Sequence, residues 1–228
     1  MIAQRLVEPE ILDALSPDDP RARASRRDLH RINTFMRQSR IMARALSRLP
    51  APRKLVDLGS GDGQFMLAVA RRLARRWPGV TVTLLDQQNI VTETTRARFA
   101  KLGWTCETIA ADVFDYLARK EEADIVTANL FLHHFPAPAL QRLLASVAGM
   151  TRAFVACEPR RSRLSLLGGR LVFVLGANAV SRHDAVASVR AGFARGELSA
   201  LWSETGWHAR ECWAPPFTHL FAVTRHDP

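Results

Sequence analysis

Leu55-Val56-Asp57-Leu58-Gly59-Ser60-Gly61-Asp62-Gly63 is the stretch that decides how this chain folds: a run suited to a buried strand passes into a glycine-rich turn that opens a helix. Glycine tolerates positive φ and lets the backbone come close to a ligand, whose polar atoms can meet the free N–H groups at the helix start. The turn therefore reads as a cradle for a small ligand. A dinucleotide site of the form G-x-G-x-x-G would need glycine at position 64, which is Gln64. The frame is instead D-x-G-x-G-x-G. Its acids, Asp57 and Asp62, would repel a pyrophosphate but suit a ligand with cationic groups.

Outward from this turn, short apolar runs alternate with helical ones, the signature of a mostly parallel sheet covered by helices. Strands are predicted at Lys54–Leu58, Val80–Leu85, Trp104–Ile109, Asp124–Asn129 and Ala153–Cys157, and helices at Gly63–Arg76, Thr92–Lys101, Val113–Arg119 and Pro138–Gly149. Two more strands, Trp207–Trp213 and Thr218–Thr224, have only a proline-containing turn between them. They should pair antiparallel, because a parallel pair needs a crossover.

Upstream, Leu29, Ile32, Phe35 and Met36 recur at helical spacing among arginines, so residues 21–49 should form amphipathic helices. Pro50 and Pro52 end them. The chain divides into an N-terminal helical lid, residues 1–50, and a ligand-binding domain, residues 51–228, with a substrate-recognition insertion at about residues 160–200. The apolar run Leu164–Val180 is interrupted by Arg170 and Asn178 and falls short of the ~20 residues of a membrane span, so it reads as a buried or pocket-lining helix.

An apolar fraction of 47% and a charged fraction of 24% exclude a disordered or fibrous chain. The net charge of +10 comes almost wholly from scattered arginines, with no run of five. It permits an acidic ligand without requiring nucleic acid. Cys106, Cys157 and Cys212 lack metal-ligand spacing, so no metal is expected and the thiols should be reduced. The N-terminal stretch has no uninterrupted apolar run, so the expected location is cytoplasmic. A homodimer is compatible with all of this.

The glycine frame resembles the first motif of the class I S-adenosylmethionine-dependent methyltransferases, and later residues extend the resemblance in order across roughly residues 50–160. It implies a Rossmann-like α/β fold: a seven-stranded, mostly parallel sheet with an antiparallel last strand and helices on both faces. S-adenosylmethionine is the implied cofactor and S-adenosylhomocysteine the product. Asp57, Gly59, Ser60, Gly61 and Gly63 would form the cradle. Asp86 would hold the ribose diol, Asp112 the adenine amino group, and Gln87 and Val113 would flank the adenine. Asn129 and Leu130 would meet the methionine part. Arg31 and Asn33 could reach the cofactor from the lid.

The segment Leu132-His133-His134-Phe135 is similar to two types within that family: quinone-biosynthesis C-methyltransferases, which carry a like stretch, and small-molecule O-methyltransferases, whose catalytic histidine falls at His133. A histidine is the usual base for an acceptor that must lose a proton at neutral pH. His183, next to Asp184, is a second candidate base. His134, Arg160, Arg182 and Arg190 are candidate substrate contacts, and Glu158 could meet substrate or face water. Trp202, Trp207, Trp213 and Phe217 could supply an aromatic-friendly pocket. The expected reaction is methyl transfer to an oxygen of a phenolic, polyketide-like or carboxylic metabolite. C-methylation of a quinone-like ring and nucleic-acid methylation are alternatives, the latter weakened because neither N-P-P-Y nor D-P-P-Y follows the fourth strand. A non-catalytic cofactor-binding scaffold or regulator is the remaining class.

Overall fold

The apolar runs from residue 54 onward pair as expected in the computed structural model, which describes residues 4–202 and 204–225. The strands are β1 (Lys54–Leu58), β2 (Thr81–Asp86), β3 (Thr105–Ala110), β4 (Ala123–Asn129), β5 (Thr151–Pro159), β6 (Trp207–Ala214) and β7 (Thr218–Arg225). They form one sheet in the order β3-β2-β1-β4-β5-β7-β6. β1 to β5 are mutually parallel. β7 runs against both β5 and β6, so it is the reversed strand. Chain order reverses between β1 and β4, and the crevice beyond the carboxyl ends of those strands is where open α/β sheets bind ligands.

Ten helices among the described residues surround the sheet: α1 (Ile11–Ala14), α2 (Pro20–Phe35), α3 (Gln38–Leu46), α4 (Gln64–Leu73), α5 (Glu93–Ala100), α6 (Val113–Ala118), α7 (Ala137–Met150), α8 (Arg163–Arg170), α9 (Ala179–Ala191) and α10 (Glu197–Leu201). Alternation along each strand sends side chains to two cores. Val56, Leu58, Val126, Phe154 and Phe221 pack with residues of α6, α7 and α10. Leu55, Val82, Leu84, Ile125 and Val155 pack with α3, α4 and α5. Helices thus cover both faces, and central strands buried on both sides read as continuous apolar runs.

The N-terminal helical pattern divides in two. Asp19 caps α2 by accepting from the Arg21 N–H, with Pro20 at the first helical position. Arg37, at φ 56°, breaks the chain before α3. α3 is part of the core, with Met42 and Leu46 fully buried, so only residues before it are free to act as a lid.

Two expectations are corrected. The run Leu164–Val180 is not one buried helix: α8 is followed by a 3-10 turn at Val172–Leu175 and by Gly176 at φ 77°, and α9 starts afresh with Asn178 as its cap. Leu164, Leu167, Leu171 and Val174 are exposed. Trp202 is a core residue, stacking on Phe154 at 6.0 Å, and the partly buried Trp207 packs edge-on against it at 5.0 Å. No helix among the described residues is long and apolar enough to cross a membrane.

Candidate active site

At the end of β1 the chain turns through three glycines in the left-handed region, Gly59 at φ 67°, Gly61 at 55° and Gly63 at 74°. A Cβ at Gly59 would lie 2.2 Å from the Phe131 ring, so this position needs glycine for both φ and space. The loop is tied to the next strand: the Ser60 N–H donates to the Leu85 carbonyl at 3.0 Å, and the Gly61 N–H to Asp86 Oδ2 at 2.8 Å. Asp86 also accepts from the Gln88 N–H at 2.9 Å. The acid after β2 therefore shapes the cradle as well as facing into it.

A cavity of about 390 Å³ opens above this loop. Asp57, Gly59, Ser60, Gly61, Asp86, Gln87, Val113, Asn129, Leu130 and His134 all line it, as does His133. Leu130 holds φ 52°, a strained conformation for leucine, which turns the chain back across the cavity floor. Ser60 Oγ, Asn129 Oδ1 and Asn33 Oδ1 are buried and have no hydrogen-bond partner, although their residues line the cavity. Buried polar atoms left unpaired are costly, so these three ask for a polar ligand.

The acids add charge complementarity. Burial, reinforced by the charge of Asp86 and only partly countered by the hydrogen bond from the Thr127 hydroxyl at 2.7 Å, pushes Asp57 up to about 7. Burial also raises Asp86 above the usual carboxylate range, despite its two backbone hydrogen bonds. A cation would favour the ionised form of both. Asp62 is engaged otherwise, 2.9 Å from His30 Nε2 on α2. The residues present thus fit S-adenosylmethionine, with its diol, ammonium and sulfonium groups.

His133 lines this cavity next to Glu10, which a second cavity shares. Its ring is 2% exposed; Nδ1 lies 2.8 Å from Glu158 Oε2 and Nε2 lies 3.2 Å from Glu10 Oε1. The other Glu158 oxygen accepts from the N–H groups of Phe131 and Leu132 at 3.0 and 2.9 Å. Burial pulls the imidazole down, but hydrogen bonds to the two carboxylates outweigh it and lift His133 to about 9. At neutral pH it is an imidazolium that donates at both nitrogens. Glu10 is also held by the Ser188 hydroxyl and is kept ionised: its burial is outweighed chiefly by His133. Glu10, His133 and His134 each bring one ligand atom within 4.8 Å of the others, but a metal ion could be held there only if His133 gave up a ring proton.

The second cavity, about 380 Å³, shares Glu10, Leu12, Leu29, Leu130 and Ser188 with the first. Its remaining walls are largely apolar, among them Ile32, Met36, Val172, Val189 and Phe217. Of the aromatics proposed for a pocket, Phe217 alone lines it.

Several predicted site residues lie elsewhere. Gly63 caps α4 in the left-handed region outside the cavity lining. Asp112 caps α6 by accepting from the Phe114 N–H at 2.8 Å and takes a bond from the Gln87 amide at 3.1 Å; it does not line the cavity. His183 Nδ1 lies 3.0 Å from Asp184 Oδ1, but its side chain is 54% exposed and lines neither cavity, and Asp184 also accepts from the N–H groups of Ile11 and Leu12. Arg160 stacks over the Trp213 ring at 4.2 Å, Arg190 pairs with Glu8 at 3.6 Å and Arg182 is exposed; none of the three lines a cavity. Glu158 is fully buried rather than facing water. Glu10, Ser188 and Arg5 were not anticipated. The Arg5 guanidinium donates to the carbonyls of His133, Phe135 and Ala191 at 2.9, 2.8 and 2.7 Å, strapping the N-terminal segment over the site.

Residues 55–153 match the family described as a methyltransferase domain. No curated protein matches the chain. Among solved structures, a Nostoc punctiforme protein assigned as an O-methyltransferase superposes with a TM-score of 0.63 at 18% identity, over 93% of this chain and 62% of its own length. The plantazolicin methyltransferase BpumL in complex with S-adenosylhomocysteine gives 0.67 at 14% identity over 92% of each chain. The mitomycin 7-O-methyltransferase MmcR gives 0.64 at 20% over 94% of this chain and 60% of its own. This chain therefore spans less than two thirds of the length of the two O-methyltransferases. The family match thus lies on the stretch that builds the glycine-loop cavity, and in overall architecture the chain is similar to these methyltransferases.

Proposed function

We propose that this protein transfers a methyl group from S-adenosylmethionine to an oxygen of an apolar, phenol-like small molecule held in the second cavity. One observation carries the reading: a polar cavity with unpaired Ser60, Asn129 and Asn33 oxygens and two buried acids joins an apolar cavity at Glu10. The first suits the cofactor and the second the acceptor, so the two meet at one ionised carboxylate. The lid role of residues 1–50 follows for the segment before α3.

When bound, S-adenosylmethionine supplies an electrophilic methyl group. Holding both reactants in line is the main contribution a protein can make to such a transfer. Glu10, ionised at the junction, is placed to take the proton an acceptor hydroxyl gives up. His133 acts as a charged donor that orients Glu10, and Glu158 orients His133 in turn; His133 is then a positioning residue. His134, lining the cofactor side, is placed to contact an acceptor oxygen. C-methylation of a quinone-like ring would release a proton from carbon, whereas a carboxylate at hydrogen-bonding reach of an acceptor hydroxyl suits oxygen more directly.

Titration calorimetry with S-adenosylmethionine and S-adenosylhomocysteine tests the cofactor reading. Micromolar binding lost in Asp86→Ala is the expected result, and no binding to the folded wild type would refute it. Glu10→Gln should then lower kcat for a phenol by about a hundredfold with KM little changed, in the range typical of a lost proton acceptor.

A further inference from the structure

α8 is built inside out. Its buried positions are Ser165 and Gly169, while Leu164 and Leu167 are 59% and 53% exposed. Past the helix end, Leu171 and Val174 are 45% and 71% exposed as well. Small residues on the inner side let α8 lie close on α9: a Cβ at Gly169 would be 3.1 Å from the Ala185 carbonyl. Phe35, at the end of α2 and 57% exposed, completes the patch. Scattered apolar side chains on a surface need no explanation, but a contiguous set of this kind marks a binding surface.

Leu171, Val174 and Phe35 also line the second cavity, so this end of the exposed apolar set rims that space, and Leu167 and Leu164 precede it along α8. Glu10, Asp184, Ser181 and Ser188 supply polar groups to the cavity, Val172 and Val189 supply apolar wall, and Leu171, Val174 and Phe35 are its exposed lining.

We propose that the acceptor is an amphiphile: a hydroxylated head seated at Glu10, with an unbranched hydrocarbon tail that fills the second cavity and leaves it across Leu171, Val174, Leu167 and Leu164. This deepens the methyltransferase reading and rests on it for the identity of the head's partner. The tail is held by apolar burial alone, so affinity must track its length, first inside the cavity and then along the rim.

The test uses protein saturated with S-adenosylhomocysteine and a series of para-alkylphenols from ethyl to dodecyl, each kept monomeric, titrated by calorimetry. Affinity should rise by up to about fourfold per added methylene, the value for full burial. In the double variant Leu164→Asp with Leu167→Asp, the curve should follow wild type for short chains and flatten for long ones. Both side chains face water, so the variant should fold, which its melting temperature checks. Length-independent affinity, or identical curves for both proteins, would overturn the proposal. So would a wild-type dimer that the variant splits in light scattering while length dependence persists, since the rim would then be a subunit contact. Length-dependent binding in a protein that fails to bind S-adenosylhomocysteine would uphold the tail channel and sink the methyltransferase reading.

Discussion

His133 Nδ1 lies 2.8 Å from the fully buried Glu158, and the same carboxylate holds the backbone of the turn that carries His133. Side chain and turn are fixed by one group. Glu158→Ala should therefore destabilise the fold by about 3 kcal/mol, as expected when one partner of a buried ion pair is removed, measurable by urea unfolding. A loss below about 1 kcal/mol would mean that the pair does not organise the turn.

The same pair sets a pH dependence. His133 is raised from 6.5 to about 9, so the stability it contributes is complete below pH 6.5 and is lost as pH rises through 9. Melting temperature in wild type should fall between pH 7 and 9.5, and His133→Asn, lower throughout, should remove that part of the slope.

Asp57 works in the opposite functional sense. Raised to about 7, it takes up a proton in the empty fold, and a bound cation expels it. S-adenosylmethionine affinity should increase between pH 6 and 8, with proton release seen as a buffer-dependent calorimetric enthalpy. Asp57→Asn should abolish the release. Because the folded state disfavours ionised Asp57, stability from this group falls as pH rises from about 4 to 7, so the Asn variant without ligand should melt a few degrees higher at pH 8.

Two glycines of the cradle separate strain from collision. Gly61→Ala meets nothing within 4 Å and should cost only the ~1 kcal/mol of a positive φ. Gly59→Ala drives a methyl group into Phe131 and should cost well over 2 kcal/mol and eliminate cofactor binding. Equal effects by thermal melting and titration would contradict the geometry.

Glu211 ties the sheet edge to α10, accepting from the Leu198 and Ser199 N–H groups and from His219 Nε2 at 2.7 Å. Burial raises it, but these bonds prevail and bring it to about 2. Its stabilising effect is present above pH 4.5 and disappears as pH falls toward 2. Glu211→Gln should cost about 2 kcal/mol at pH 7 and little at pH 2.5, by chemical denaturation.

The sheet was legible because its information is local. Runs such as Ala153–Cys157 are apolar on both faces, and a glycine frame must follow a strand to be useful; β1 begins and ends at the predicted residues, and the other strands shift by one or two. The cofactor cavity followed the same logic, since Asp86 and Asn129 sit at strand ends. Glu10 and Ser188 were not legible: neither lies in a motif, and they meet only because α1 crosses α9. Asp112 shows the converse limit, for an acid opening a helix serves equally as a cap. His183 does pair with Asp184 at 3.0 Å, yet its side chain faces solvent and the carboxylate also holds the α1 backbone, which sequence proximity alone does not reveal.

The strap formed by Arg5 and Glu10 has a consequence for biosynthesis. Its partners are 123 to 186 residues away in sequence, at His133, Phe135, Ser188 and Ala191. This segment is synthesised well before its partners and cannot complete its docking until residue 191 has followed. Contacts of such long range close late, after the local βα units have formed. The fold is assembled from its middle outward, and the junction where chemistry would occur is completed last.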